Sequence, residues 1–455
     1  MKKIYAYLFI VAIISVSCSK WIDPDINNDP NNPTDVNEPQ LLAPVEANLA
    51  YIAGGELARF NCVWMQQIAG IQSQSAENDI YTISESDVNN PWSWNLYAPG
   101  MINTKIMMEK SAEGGSPHYA GVAKILMAYH LGITTDEWGD IPYTEALSGL
   151  QNNFKPKYDP QAQIYDTIFS LLDQAIQNLS ATNSVLSPGD EDIIYGGDLE
   201  KWIKTAYALK ARYNLHLAKR KGTSAYTAAL TASENSYTGN SDDFKVVFGT
   251  AYNNSNPIYQ SEQERPGYYS ASATFQAKLS ATGDPRQSVY FDGTIGSNPG
   301  EPNPDAASIG AAYASAGSPV YLMSYVELKF IEAEASFATN DLFRAADAYN
   351  EGLKASLQRE GVYGDGSWYN SHKETNASIS LEKIMTQKWL SSFLQIETWT
   401  DWRRTGFPTL QLAAGAVTNQ IPRRLPYPEE ERLYNGENMP AGLSITDRVW
   451  WDVAK

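Results

Sequence analysis

The chain of 455 residues has little cysteine: Cys18 and Cys62 are its only two. The disulfide framework that staples small secreted folds is therefore absent. Histidine is also scarce, and the scattered His118, His130, His216 and His372 show no metal-ligand spacing. Positive charge is in deficit, with 34 Lys and Arg against 52 Asp and Glu. Such a charge repels phosphate backbones and anionic lipid surfaces, which excludes nucleic acid as a partner. Catalytic signatures are missing as well: there is no G-x-S-x-G elbow, no H-E-x-x-H, no C-x-x-C and no phosphate-binding glycine loop. No Ser/Gly or Pro linker divides the chain, so one compact unit over residues 40–455 is expected, and no cofactor or metal is called for.

The longest apolar stretch lies at the start. Met1, Lys2 and Lys3 precede "IYAYLFIVAIISV", a charged n-region followed by an apolar h-region. It is shorter than the ~20 residues of a spanning helix. Ser15 and Ser17 flank the approach to Cys18 in the manner of a loose lipobox. Residues 1–17 thus read as a lipoprotein signal peptide and Cys18 as the lipidated new N-terminus. Cleavage there removes two lysines and no acid, leaving the mature chain more negative still. The alternative is an ordinary secretory peptide with a Cys18–Cys62 disulfide. Residues 18–39, rich in Asp, Asn and Pro, read as a tether. The alternation of Asp23, Asp25, Asn27 and Asp29 imitates a calcium loop, but Asn28 and Thr34 stand where an EF-hand needs Gly and Glu.

Helical periodicity dominates the body. Ile164, Ile168, Leu171, Ala175 and Leu179 share one face, with Asp159 as N-cap and Pro160 at the first helical position. Trp202, Ala206, Leu209, Tyr213 and Leu217 share another, capped by Asp198. Ser324 and Glu327 have capping-box spacing ahead of Val326, Phe330, Ala333 and Phe337, and after "ATND" the residues Ala345, Tyr349 and Gly352 form a small-aromatic-small face. This helix-turn-helix pattern is like a tetratricopeptide repeat. Irregular stretches at 70–100, 249–270 and 291–319 separate the helices, and such loops are where a binding surface belongs.

What the sequence has in abundance is aromatic side chains, 12 Trp and 28 Tyr. A sugar presents an apolar C–H face and a rim of hydroxyls, so its site needs a flat ring beside amides or carboxylates. The expected ligand-binding set is Trp92, Tyr252, Asn253, Asn254, Tyr268 and Tyr269, with Asn78 and Asp79 nearby. Trp92, beside Pro91, reads as exposed, whereas Trp94 and Tyr97 read as core. "SWYN", with Trp368 and Tyr369, is the next candidate. Each of these rings could instead pin a loop onto the body. The acids Asp136, Glu137 and Asp140 of "DEWGD" invite a glycosidase reading, but neighbours on a turn point apart, and a structural turn after a helix at 119–135 explains them better. Arg403, Arg404, Arg423 and Arg424 could recognise an anion; pairing with Glu327, Glu332 or Glu334 is the better explanation.

Several motifs, in order along the mature chain, carry a resemblance. They are Cys18 with its leader, "DEWGDIPYTEAL", "GDLEKWIKTAYALKARYNLHLAKR", "DPR" at 284–286, "SYVELKFIEAEASF", "IMTQKWLSSFLQIETWTDWRRTGFP" and "IPRRLPYPEEE". Together the chain resembles the SusD/RagB family of nutrient-binding outer-membrane lipoproteins of Bacteroidetes. The resemblance implies a mostly α fold, SusD-like, with tetratricopeptide-like helix pairs as scaffold and long irregular binding loops. It also implies a lipid-anchored, cell-surface, non-enzymatic protein that hands its ligand to a SusC-like TonB-dependent transporter. It does not name the ligand. An oligosaccharide is expected, a peptide-binding member of the same family is the alternative, and an exported glycoside hydrolase is the third reading.

Overall fold

A computed structural model of the protein describes residues 36–454. The expected signal peptide, Cys18 and most of the tether lie outside them. Helix α1 (Glu38–Tyr51) opens on a capping box in which Asn37 Oδ1 accepts the Gln40 N–H and Gln40 Oε1 accepts the Asn37 N–H, each at 3.1 Å. The tether, expected to run to residue 39, therefore gives way to helix at Glu38. A π-helical turn (Ile52–Glu56) leads into α2 (Leu57–Trp64), strand β1 (Ile68–Gly70) and α3 (Ser73–Asp79).

The scaffold follows. Helices α4 (Ile102–Glu113), α5 (Pro117–Trp138), α6 (Gln161–Leu179), α7 (Leu199–His216) and α8 (Thr223–Ser233) pack each on the next, and α8 leans on a later helix pair. After β2 (Phe244–Val246), α9 (Pro257–Glu264), β3 (Tyr269–Ala271) and β4 (Val320–Met323) come that pair, α10 (Tyr325–Ala338) and α11 (Leu342–Arg359), then α12 (Leu381–Ser391) and α13 (Glu397–Thr405). The strands form two antiparallel pairs: β1 with β3, register Ile68 to Ala271, and β2 with β4, register Phe244 to Met323.

The faces expected on α6 and α7 are buried throughout. Their burial, at roughly 2 kcal/mol per large apolar side chain, holds the layers together. Small residues set the spacing. A Cβ on Gly132 of α5 would fall 2.0 Å from the Tyr213 hydroxyl of α7, and one on Gly352 of α11 would fall 3.2 Å from the Phe330 ring of α10. The α10–α11 hairpin is thus closed by the small-aromatic-small face expected of it.

Caps divide. Asp198 accepts from the Glu200 and Lys201 N–H groups as expected. Asp159 does not cap α6: its carboxylate is taken by the Tyr143 and Thr144 N–H groups at 2.9 and 2.7 Å, so Pro160 is the N-cap and the helix starts at Gln161. Ser324 caps α10 by accepting the Glu327 N–H at 3.1 Å, but the Glu327 side chain turns to Arg212 instead of completing a capping box.

"DEWGD" is not a surface turn. Helix α5 runs on to Trp138, and Asp136 and Glu137 are buried. Asp136 accepts from the Tyr165 hydroxyl at 2.6 Å and the Trp451 indole at 2.8 Å, and Asn61 donates to Glu137 at 2.8 Å. Burial pushes the Glu137 carboxyl up to about 8, against the opposing pull of Arg403 and Asn61. A charged chain extends from there through the core: Asp136 to His216 at 3.1 Å, His216 to Glu397 at 2.7 Å, Glu397 to Arg212 at 3.7 Å and Arg212 to Glu327 at 2.6 Å. It ties α5, α7, α13 and α10 to one another.

The tail arginines are structural, with partners only partly those expected. Arg404 pairs with Glu334. Arg403 meets no acid of α10; it donates to the Asp136 carbonyl at 2.6 Å and lies 3.9 Å from the Trp399 ring centre. Arg423 binds Asp452 at 2.6 Å, and Arg424 donates to the Trp138 carbonyl. Glu332 instead serves Lys329 and Arg344. Cys62 is a fully buried thiol whose Sγ lies 3.8 Å from the Gln395 carbonyl, so a disulfide to it would require opening the core.

Candidate functional site

An open groove runs between the Ile52–Glu56 turn, α2 and α9. Two glycines allow this junction. A Cβ on Gly54 would lie 2.4 Å from Val320 and one on Gly55 3.2 Å from Pro257, so β4 and α9 can approach the turn only because both side chains are missing. Asn256 caps α9 by accepting the Ile258 and Tyr259 N–H groups. The groove continues into a narrow cleft toward α3 and β3, and Glu56, Arg59, Ser261 and Arg265 line both parts.

The structure brings most of the expected site residues to this groove. Asn78, Tyr268 and Tyr269 line the inner pocket. Ser75 fixes the Tyr268 backbone by donating to its carbonyl at 2.7 Å, and the Ile71 N–H donates to the same oxygen at 2.9 Å. Tyr252, Asn253 and Asn254 form an exposed turn at the outer rim. Tyr51, which lines the outer groove, donates its hydroxyl to the Ser255 carbonyl, and Gln260 donates to the Tyr252 carbonyl at 2.8 Å. The Tyr252 hydroxyl donates to Glu264 at 2.5 Å and leaves the ring half exposed, at 50%.

Two expected residues serve elsewhere. Asp79 is buried in α3 and accepts from the Gly300 N–H at 2.5 Å, anchoring a distant loop; burial pushes its carboxyl up to about 6. Trp92 is 2% exposed, packed 5.2 Å from the Trp138 ring and 6.2 Å from the Tyr427 ring, whereas Trp94 is 67% exposed. The expected exposures are reversed. Residues two apart on a helical turn face opposite sides, so one indole had to point outward; the cavity among Trp138, Tyr158 and Tyr427 takes Trp92. Trp94 stands next to Asn95, which lines the outer groove with Asn90. Tyr97 packs against the core, as expected. Trp368 is committed to packing, donating to the Thr282 carbonyl at 2.9 Å and stacking 4.0 Å from His372.

The groove residues missed in the sequence are Glu56, Arg59, Glu264 and Arg265. The first two sit in "GELARF", outside the aromatic-rich loops; the others lie within the stretch "YQSEQERPGYY", whose tyrosines drew attention ahead of its charges. Burial raises the Glu56 carboxyl, with Arg59 pulling the other way, and burial likewise raises the Tyr269 phenol against the same arginine. Rings, amides and charged forks around an open groove can stack on and hydrogen-bond to a polyhydroxylated ligand.

The layered helix pairs place the scaffold in the tetratricopeptide-like class. The chain belongs to the SusD-like family: residues 30–428 match the family described as "Starch-binding associating with outer membrane". Among solved structures, a SusD/RagB family protein from Bacteroides thetaiotaomicron VPI-5482 is 25% identical, with a TM-score of 0.74 over 92% of this chain and 100% of that one. A chitin-binding SusD homolog from Flavobacterium johnsoniae is 23% identical, TM-score 0.78, over 92% and 99%. A SusD homolog from Bacteroides fragilis NCTC 9343 is 23% identical, TM-score 0.76, over 92% and 100%. No curated protein matches the chain. Among the described residues no helix is long and apolar enough to cross a membrane.

Proposed function

We propose that the protein is a cell-surface lipoprotein that captures an oligosaccharide in the groove beside α9 and delivers it to a SusC-like TonB-dependent outer-membrane transporter. The observation that carries this reading is the convergence of Tyr268, Tyr269 and Asn78 on one pocket, with the half-exposed Tyr252 at the outer rim, its hydroxyl on Glu264 of the groove. Aromatic faces beside amides are what a sugar ring requires. The family's description and the chitin-binding homolog support a glycan over a peptide. The hydrolase reading loses its best residues, because Asp136 and Glu137 are buried in the scaffold with partners of their own.

Isothermal titration with plant, fungal and host glycans and with peptide digests tests the ligand class. A glycan should bind without being cleaved. Tight binding of peptides alone, or products of hydrolysis, would overturn the proposal. For the anchor, mass spectrometry of the mature N-terminus should find lipid on Cys18, and Cys18→Ala should release the protein from the membrane; an unmodified N-terminus at another residue contradicts it.

A further inference from the structure

Arg59 and Arg265 differ from the other arginines. Every other arginine of the chain donates a side-chain hydrogen bond to a carboxylate or a backbone carbonyl, as Arg212, Arg404 and Arg423 do. Among the described residues Arg59 and Arg265 do neither. Arg59 lies against the Tyr269 hydroxyl, and the Arg265 guanidinium sits 5.8 Å from the Tyr268 ring centre. Both line the inner pocket and the outer groove. Asn78 lines the same inner pocket, is 3% exposed, and neither its amide nitrogen nor its oxygen has a partner. A buried amide left unpaired is costly, and this one stands in the pocket wall, where a ligand's polar groups can complete its bonds.

The guanidinium fork matches a planar carboxylate, and an amide can donate to that carboxylate or accept from a ring hydroxyl. The acids of the groove act on the two arginines only from a distance, Glu56 on both and Glu262 on Arg59. Glu264 is taken by the Tyr252 hydroxyl, and Glu56 forms no ion pair with either arginine among the described residues. Glu262, nearby on α9, accepts from the Gly267 N–H at 3.3 Å.

We infer that the groove takes an acidic sugar, a uronic acid whose carboxylate is held by Arg59 and Arg265 and whose hydroxyls meet Asn78, with its ring against Tyr268 or Tyr269. This rests on the glycan-binding reading above. The probes are oligogalacturonate, alginate and hyaluronan oligosaccharides, each beside its carboxyl-reduced counterpart, in which a CH2OH replaces the carboxylate with stereochemistry otherwise kept. Neutral chito-, xylo- and malto-oligosaccharides complete the set. At least one acidic member should bind tenfold or more tighter than its reduced form, and added salt should shrink that gap. Arg265→Gln, at an exposed position that leaves folding intact, should shrink it by a similar factor, and Arg59→Gln should do the same. Equal binding of acidic and reduced forms, binding of neutral glycans alone, or a gap unmoved by either variant overturns the inference while leaving a glycan-binding protein. If no glycan of any kind binds, the glycan reading itself fails with it.

Discussion

Arg404 and Glu334 face each other through two parallel hydrogen bonds, Nη1 to Oε1 at 2.7 Å and Nη2 to Oε2 at 2.9 Å, buried where α13 meets α10. Asp401 takes a third bond from the same guanidinium at 2.5 Å. The fork locks the C-terminal segment onto the α10–α11 hairpin. Truncating one side leaves a charge stranded in the core, which costs about 3–5 kcal/mol. Arg404→Ala should therefore lower the denaturation midpoint sharply. Glycan affinity, measured on the fraction that remains folded, should be unchanged, because the groove lies elsewhere.

His216 should make stability depend on pH. Burial alone would pull its imidazole down, but the carboxylates of Glu397 and Asp136 more than offset this and raise it to about 9, above the ordinary 6.5. A raised folded value means the charged form contributes fully below about pH 6.5 and is lost as the pH climbs through 9. Glu137, held up to about 8, acts with the same sign at lower pH. Urea unfolding should show stability falling between pH 6.5 and 9, with a slope from His216 of at most ~1.4 kcal/mol per pH unit. In His216→Gln the fall between pH 8 and 9 should flatten. An equally steep fall in the variant would show that the imidazole is not charged in the fold.

Asn78 should trade stability against binding. Its amide is buried without a partner, so Asn78→Leu removes an unsatisfied group and fills the space with apolar atoms. Thermal stability should hold or rise by about 1 kcal/mol. Affinity for the glycan found in the panel should drop tenfold or more. A variant that loses stability and keeps affinity would place Asn78 in the packing instead.

How much of this was written in the sequence depends on what each residue answers to. The faces of α6 and α7 were legible because five side chains at helical spacing have one place to go. The Arg404–Glu334 pair was legible because a buried arginine needs an acid and α10 offered several. Arg403 looked the same but uses carbonyls and two indoles, which no spacing announces. Asp159 looked like a cap until Tyr143 and Thr144, 15 or more residues earlier, took its oxygens. Trp92 and Trp94 show the same limit: that they face opposite ways follows from their spacing, but which one points inward is decided by Trp138 and Tyr427 in distant segments. Tyr268, Tyr269 and Asn78 were singled out through ring and amide chemistry, and the fold gathers them in one pocket. Arg59 and Arg265 were not, because what sets them apart is a missing partner, and that is a property of the fold alone.

The central claim is that a glycan binds in the groove beside α9, and the measurement closest to it is affinity and melting temperature taken together for Tyr268→Ala. The Tyr268 ring lines the inner pocket and is only partly buried, so its loss should leave the scaffold intact. Removing a platform on which a sugar stacks should cost about 2 kcal/mol, roughly thirtyfold in affinity. The account predicts that loss with a melting temperature close to wild type. Wild-type affinity in a folded Tyr268→Ala protein would contradict it and move the site elsewhere.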